Sequence, residues 1–225
     1  MKKVLVTAAG PRLWPVLRLS LPTHRTFASA HGYELRVDRS VDDTAAIADP
    51  SRRKEARWRK VEIIKQALSC FDVVLWVDAD AMFCRFDRDI LEDLPPGYFQ
   101  GLVLEECSAR VNPNSGVWLL RADARSTLLL EDVTAIGQLD HSWADQAALC
   151  AALGWDIGDV HGHGARPVIR SPHLFGTAWL PTSWNSVSPF STAGTRVRHF
   201  PGMSVEARVS AMKEVLRNLA LGPAR

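Results

Sequence analysis

The stretch from Trp58 to Asp80 restricts the fold of this chain more than any other segment. Its first half places apolar residues on one face at helical spacing, namely Trp58, Val61, Ile64, Ala67 and Leu68. Residues 73–77 then form an uninterrupted apolar strand, Val-Val-Leu-Trp-Val. A strand that is apolar on both sides must be covered on both faces, which is the arrangement of mostly parallel sheets between layers of helices. The stretch therefore predicts an α/β fold.

The remaining pattern is consistent with one such domain over residues 1–225. It predicts strands at residues 4–7, 33–37, 101–104 and 117–120, with a loop at 112–116 between the last two, and helices at residues 23–31, 145–153 and 205–219, the last capped by Ser204. Residues 41–51 are predicted to form an exposed loop. No internal repeat and no Gly-, Ser- or Pro-rich linker divides the chain.

Composition excludes several classes of function. The chain has 27 Lys and Arg against 25 Asp and Glu, a net charge of +2, so it lacks the basic surface expected of a nucleic-acid or polybasic membrane binder. The apolar run after Met1 ends at Gly10, and no other run has membrane-spanning length. Four cysteines without CxxC spacing predict reduced thiols and a cytoplasmic location.

Asp78 and Asp80 follow the apolar strand directly. Side chains two residues apart in an extended segment point to the same side, and ligands of α/β sheets bind beyond the carboxyl ends of the strands. Two carboxylates at that position form an oxygen-rich site for a divalent cation that substrate phosphates would complete. The alternative is two solvated acids in a turn. The apolar residues on both sides favour the cation, because unpartnered carboxylates there would be costly.

At this point the chain resembles a known family, the retaining nucleotide-sugar glycosyltransferases of the GT-A fold. The likeness is closest to the fungal galactosyl/mannosyltransferase and plant xyloglucan xylosyltransferase family, and looser to the glycogenin-like family. It is carried by motifs in one order: Lys60, Leu75-Trp76-Val77-Asp78-Ala79-Asp80-Ala81, Asn114-Ser115-Gly116-Val117, Asp145-Gln146, Trp184-Asn185 and His199-Phe200-Pro201-Gly202.

The resemblance implies a metal site and a donor site. Asp78, Asp80 and His199 would hold Mn²⁺ or Mg²⁺, and the imidazole favours Mn²⁺. The residues implied to contact the nucleoside-diphosphate sugar (UDP or GDP) are Thr7, Ala8, Lys60, Asp78, Asn114, Gly116 and Gly202. Glycogenin-like enzymes place a lysine three residues after the glycine that corresponds to Gly202, where this chain has Val205. Arg208, Lys60 or Arg57 could supply the positive charge instead.

The resemblance also implies the chemistry. Asp145 would bind hydroxyls of the donor sugar, and Gln146 would lie near the anomeric carbon and stabilise developing positive charge. An amide oxygen is a poor nucleophile, so the expected reaction is a front-face substitution in which the leaving diphosphate accepts the acceptor's proton. The reaction would transfer a hexosyl or pentosyl group to a hydroxyl of a small molecule or glycan, with retention of the anomeric configuration. Trp179 and Trp184 are the tryptophans expected in an acceptor cleft.

Two other functions are compatible with parts of the sequence. Residues 8–15 partly match the phosphate-binding loop of sugar-nucleotide nucleotidyltransferases, but they lack its paired glycines, and Pro11 removes an amide donor. A non-catalytic nucleotide-sugar-binding module is the second alternative, although simple binding would not need Asp78, Asp80, Asp145 and His199 together. His161 and His163 could bind a metal, but a surface loop is the expected structure there.

Overall fold

The computed structural model describes residues 1–41, 53–107, 110–137, 141, 143–157, 170–187 and 194–220. Its helices are α1 (Trp14–His31), α2 (Arg53–Leu68), α3 (Ala124–Ile136), α4 (Asp145–Ala152) and α5 (Val205–Ala220). Its strands are β1 (Lys3–Ala8), β2 (Tyr33–Asp38), β3 (Val73–Val77), β4 (Ala81–Phe83), β5 (Gln100–Cys107), β6 (Arg110–Arg121), β7 (Thr177–Leu180), β8 (Ser186–Val187) and β9 (Val197–His199). Short 3-10 helices lie at Ile90–Asp93, Leu174–Gly176 and Thr182–Asn185.

The main sheet has six strands in the order β2-β1-β3-β6-β5-β7. Strand β6 pairs antiparallel with β3 and β5, and the other pairings in this sheet are parallel. Helices cover both faces, because Val74 and Trp76 of β3 pack with α2, α3 and α4 while Leu75 packs with Phe27 of α1. The predicted α/β fold with a mostly parallel sheet is confirmed, and the doubly apolar β3 is the strand that required it.

A second, smaller sheet in the order β4-β9-β8 begins where β3 ends. Strand β4 pairs antiparallel with β9 so that Ala81 lies opposite His199. The Phe200 backbone N–H donates to the Asp80 carbonyl at 3.1 Å, which continues this pairing past the strand. The two sheets therefore bring a residue from near the carboxyl end of the chain beside the acidic turn after β3.

Two sequence expectations about local structure are wrong. Helix α1 begins at Trp14 rather than near Thr23, with Pro15 in its first turn, where a missing N–H costs nothing, and with Pro22 inside it. The predicted loop at 112–116 is part of strand β6, which shifts register against β5 between Leu102 and Val103. Asn114 and Gly116 form buried hydrogen bonds there instead of a turn.

The remaining predictions concern the other strands and helices, the loop at 41–51 and the cysteines. Strands β1 to β3 and helices α4 and α5 lie where the pattern predicts them, and the Ser204 hydroxyl accepts from the Ala207 N–H at 3.2 Å. The predicted loop at 41–51 falls outside the described residues from 42 onward. In the part of the chain that the structure describes, Cys70, Cys84 and Cys150 are free thiols, and no helix is long and apolar enough to cross a membrane.

His24 provides a prediction about stability. This α1 residue is fully buried, its Nε2–H donates to the Ala81 carbonyl at 2.9 Å, and burial lowers its pKa to about 4 although that hydrogen bond opposes the shift. The unfolded chain binds a proton at His24 below about pH 6.5, and the folded chain does not until about pH 4. Stability from this group is therefore complete above pH 6.5 and is lost as the pH falls.

We expect the free energy of unfolding to decrease by about 2 kcal/mol between pH 7.5 and pH 5 through His24 alone. Urea unfolding of the wild type and of His24→Gln at both pH values isolates this term, because glutamine keeps an N–H for the Ala81 carbonyl but does not titrate in this range. Equal pH dependence in the two proteins would contradict the prediction.

Candidate metal and donor site

The site is built at the carboxyl end of β3. The Asp78 backbone N–H donates to the Gly116 carbonyl at 2.8 Å, and the Ala81 N–H donates to the Asp78 carbonyl at 3.0 Å. This tight turn joins β3 to β4 and directs both aspartates beyond the sheet. The Trp76 indole N–H donates to Asp78 Oδ1 at 2.6 Å and holds that carboxylate in place.

Asp78, Asp80 and His199 form a cluster whose candidate ligand atoms all lie within 4.8 Å of one another. His199 Nε2 is 3.4 Å from Asp80 Oδ1 and 3.8 Å from Asp78 Oδ2. The imidazole is 3% exposed. Two carboxylates and one imidazole nitrogen are a donor set that suits a divalent metal cation. The three predicted metal ligands thus converge in the folded chain.

Charged neighbours shift the ionisation of this cluster. Burial favours the neutral imidazole, but the Asp80 carboxylate, followed by Asp78, raises the pKa of His199 above its ordinary value. Burial likewise favours protonated Asp80, yet His199 and Arg208 hold the pKa of Asp80 below its ordinary value. Arg208 Nε lies 3.0 Å from Asp80 Oδ2 in an ion pair, and its N–H donates to the Phe200 carbonyl at 2.9 Å. Positive charge next to Asp80 therefore stabilises its ionised form, which is the form that binds a cation.

Gly116 gives His199 access to the cluster. A Cβ atom at this position would lie 2.2 Å from His199 Cε1 and 2.9 Å from Asn114 Oδ1, far inside van der Waals contact. The close approach that the glycine permits is therefore to the imidazole of this chain, a contact that the motif alone does not reveal. The role of Gly116 at the donor stays a prediction.

Lys60 of helix α2 lies inside the site. Its ammonium is 2.9 Å from Asp145 Oδ2 and 3.0 Å from Asp78 Oδ1, and it donates to Ser115 Oγ at 3.1 Å. Burial by itself would lower the pKa of Lys60, but the carboxylates of Asp145 and Asp78 together raise it above its ordinary value. Lys60 therefore links the turn after β3 to the start of α4 as a permanent cation.

Asp145 and Gln146 open helix α4 next to this lysine. The Asp145 carboxylate is buried and accepts from Ser115 Oγ at 3.0 Å as well as from Lys60. Gln146 is half-buried, and its side-chain amide makes no hydrogen bond to the residues that the structure describes. Ala144, just before them, has a φ of 49°, a conformation rare for a residue with a side chain and often found at functional sites.

The other candidate residues have varied surroundings. Thr7 is buried at the end of β1, with no hydrogen-bond partner for its hydroxyl among the described residues, and Ala8 follows it. Gly202 lies in an exposed turn after His199 with a φ of 73°. Trp179 is exposed on the edge strand β7. The side chain of Arg57, and His161 and His163 entirely, lie outside the described residues.

Trp184 is a core residue, which contradicts its expected place in an acceptor cleft. It is 0% exposed, and its indole N–H donates to Asp93 Oδ2 at 2.7 Å. Three residues without an assigned role lie at the site instead: Ser115, Glu105 and Asn185. Ser115 and Asn185 belong to motifs quoted in the sequence comparison above, whereas nothing in the local sequence of Glu105 points to the site.

Comparisons with known proteins agree on the fold. No family model and no curated protein matches the sequence. Among solved structures, a glycosyltransferase involved in glycosylation of the major capsid of PBCV-1 matches with a TM-score of 0.69 and 15% identity, over 95% of this chain and 100% of that one. Mouse xyloside xylosyltransferase 1 matches with a TM-score of 0.53 and 12% identity, over 91% of this chain and 99% of that one.

The galactosyltransferase LgtC, solved with donor and acceptor sugar analogues, matches with a TM-score of 0.52 and 12% identity, over 97% of both chains. These likenesses extend over nearly the whole chain, so they apply to the arrangement of both sheets and not to one motif. The chain therefore has the GT-A fold of glycosyltransferases.

Proposed function

We propose that this protein is a metal-dependent retaining glycosyltransferase that moves a hexosyl or pentosyl group from a UDP-sugar or GDP-sugar to a hydroxyl of a small molecule or glycan. The observation that carries the proposal is the convergence of Asp78, Asp80 and His199 at the carboxyl edge of the sheet, beside Lys60 and Asp145. The LgtC structure with donor and acceptor sugar analogues supports substrates of this class.

Charge balance supports a divalent cation. The described site holds four carboxylates, Asp78, Asp80, Asp145 and Glu105, and two permanent cations, Lys60 and Arg208. The sum is −2 when His199 is neutral, which one divalent ion neutralises. Asp78, Asp80 and His199 would hold the ion, and when bound it supplies Lewis-acid stabilisation of the departing diphosphate.

Arg208, beside Asp80, is our assignment for the basic residue that meets the diphosphate, since Lys60 is already paired with two carboxylates.

The remaining roles fall to side chains at the start of α4. Lys60 and Ser115 engage Asp145 Oδ2, which leaves Oδ1 to accept from a sugar hydroxyl. The Gln146 amide, without a hydrogen bond to the described residues, is placed to present its carbonyl oxygen to charge that develops at the anomeric carbon. One of the similar structures is an active-site mutant of LgtC in which a glutamine is replaced by glutamate, which supports an active-site glutamine here.

The proposal is tested by ligand-dependent stabilisation and then by turnover. We expect UDP or GDP to raise the melting temperature in the presence of Mn²⁺, because a ligand that binds only the folded state stabilises it by about 2.7 kcal/mol at 100 times its Kd. The matching sugar donor should be hydrolysed slowly without acceptor, and transferred with its anomeric configuration retained in the proton NMR spectrum. Release of pyrophosphate from a nucleoside triphosphate and a sugar phosphate would favour the nucleotidyltransferase instead, and donor binding without turnover would favour a binding module.

Gln146→Ala separates catalysis from binding. If the amide stabilises only the charged transition state, kcat should fall by about 10²–10³-fold with little change in donor affinity. Asp145→Asn should instead weaken donor binding as well and relax the choice of sugar, because Asp145 contacts hydroxyls in both states. Calorimetric donor titrations beside steady-state rates distinguish the two. If Gln146→Ala keeps the wild-type kcat, Asp145 and Gln146 only form the start of helix α4 and have no part in catalysis.

A further inference from the structure

A chain of buried hydrogen bonds runs from strand β6 to His199. It begins at the Gly116 backbone N–H, which donates to Asn114 Oδ1 at 2.7 Å. The other end of the same amide, Asn114 Nδ2, donates to the Glu105 carboxylate. A backbone N–H can only donate and an ionised carboxylate can only accept. The orientation of the Asn114 amide is therefore determined at both ends.

Asn185 extends this chain. Asn114 Oδ1 lies 2.8 Å from the amide of Asn185, and since that oxygen can only accept, the atom facing it must be Asn185 Nδ2. The Asn185 carbonyl oxygen then faces His199 Nδ1 at 2.9 Å. An oxygen acceptor requires a proton on the nitrogen opposite it, so Nδ1 is the protonated ring nitrogen. No step of this assignment depends on the metal.

The assignment determines which nitrogen of His199 can act as a ligand. In the neutral imidazole, the form that binds a cation, the proton on Nδ1 leaves the Nε2 lone pair pointing to the space beside Asp80 and Asp78, 3.4 and 3.8 Å away. Asn114, Asn185 and His199 are each 2–3% exposed, so water competes little for these hydrogen bonds. The neighbouring Trp184 is fully buried and anchors the 3-10 helix that carries Asn185.

We propose that Asn185, oriented by Asn114, is a positioning residue that holds His199 in the Nδ1-protonated tautomer and directs Nε2 at the cation. The proposal rests on the metal site of the proposed function. The physical reason is that a partner on the second ring nitrogen sets both the tautomer and the ring orientation of a histidine ligand, and its loss commonly lowers metal affinity by 10- to 100-fold.

The experiment measures Mn²⁺ affinity of the full chain without donor, from the EPR signal of free Mn²⁺. Asn185→Leu keeps the branching and the number of heavy atoms of the side chain and removes both hydrogen bonds, and we expect about 10- to 100-fold weaker binding. Asn185→Asp keeps an acceptor for Nδ1–H and should bind Mn²⁺ at least about tenfold more tightly than Asn185→Leu, although the new carboxylate faces Asn114 Oδ1 and should lower the melting temperature. Asn112→Leu removes another buried amide of β6, whose hydrogen bond among the described residues goes to the Pro113 carbonyl, and should retain wild-type affinity.

A second measurement reads the tautomer itself. Long-range proton–nitrogen spectra of protein labelled with ¹⁵N-histidine and loaded with Zn²⁺, a diamagnetic probe, should show His199 with Nδ1 protonated and Nε2 bound, and Asn185→Leu should lose that pattern. A purely structural role for Asn185 would lower the melting temperature of both Asn185 variants without changing this spectrum or Mn²⁺ affinity, and that result overturns the proposal.

Failure of the metal site itself gives a different result. If Asp80→Asn binds Mn²⁺ as tightly as the wild type, the proposed metal site is wrong. If Asp80→Asn loses Mn²⁺ and Asn185→Leu retains it, the metal site stands and only the role of Asn185 is wrong. If Asn185→Leu does not fold, the comparison of Asn185→Asp with the wild type in the nitrogen spectrum decides the proposal: loss of the Nδ1-protonated pattern despite a retained acceptor contradicts it.

Discussion

Asp80→Asn is expected to reduce sugar transfer by about 10³-fold or more, and a chelator should do the same to the wild type. The substitution keeps the size of the side chain but replaces an anionic ligand by a neutral amide. Asp80 lies 3.4 Å from His199 Nε2 and 3.0 Å from Arg208 Nε, and the substitution removes the negative charge that faces both. A cation that stabilises the departing diphosphate contributes several kcal/mol, which corresponds to this loss of rate.

Asp87→Asn is the matched control. Asp87 is an exposed aspartate that pairs with Arg196 and Arg85 away from the cluster, so its loss should leave transfer and Mn²⁺ affinity unchanged. Rates of transfer with saturating donor and added Mn²⁺, together with the melting temperatures of both variants, make the test. Full activity of Asp80→Asn, or of metal-free wild type verified by elemental analysis, would rule out the metal-dependent function.

Lys60→Met is expected to cost about 3–5 kcal/mol of folding free energy, the range for removing one member of a buried ion pair. Methionine fills a similar volume, so the loss is electrostatic. Asp145 and Asp78 are left facing each other without the ammonium that lies 2.9 and 3.0 Å from them. Lys65→Met, an exposed substitution on the same helix, should change stability by less than about 0.5 kcal/mol.

Urea unfolding at neutral pH measures the free energy of unfolding of both variants. The double variant Lys60→Met with Asp145→Asn should recover part of the loss, because one of the uncompensated charges is removed. Equal stability of Lys60→Met and Lys65→Met would show that Lys60 is solvated and not part of a buried ion pair. An added test follows at saturating Mn²⁺, which should restore some stability to Lys60→Met by replacing the missing positive charge next to Asp78.

Local pattern was sufficient for the centre of the fold. Five apolar residues in succession at β3 require cover on both faces, and the amphipathic face at Val61 and Ile64 supplies it on one side. Both features depend only on side chains near one another in the chain, so periodicity reveals them. The acidic turn at Asp78 and Asp80 could be predicted in the same way, because these residues directly follow the strand along the chain.

Local pattern failed where distant residues decided the conformation. Asn112 to Gly116 have the composition of a loop, yet Asn114 is held in strand β6 by Glu105 and Asn185. Pro22 suggests that no helix continues through it, but apolar burial of Val16, Leu17 and Leu21 stabilises α1 around it. In each case contacts across the fold outweigh a local propensity of about 1–3 kcal/mol.

By itself, then, the sequence determined the α/β architecture, the buried strand and the acidic pair at its end, because each follows from side-chain periodicity along a few neighbouring residues. Only the tertiary structure decided that Lys60 is buried between Asp78 and Asp145, that Gly116 makes room for His199, and that Asn185 faces Nδ1 of that histidine. Charge compensation and hydrogen-bond direction depend on atoms brought within about 3 Å by chain segments far apart in sequence, and no local pattern contains that information.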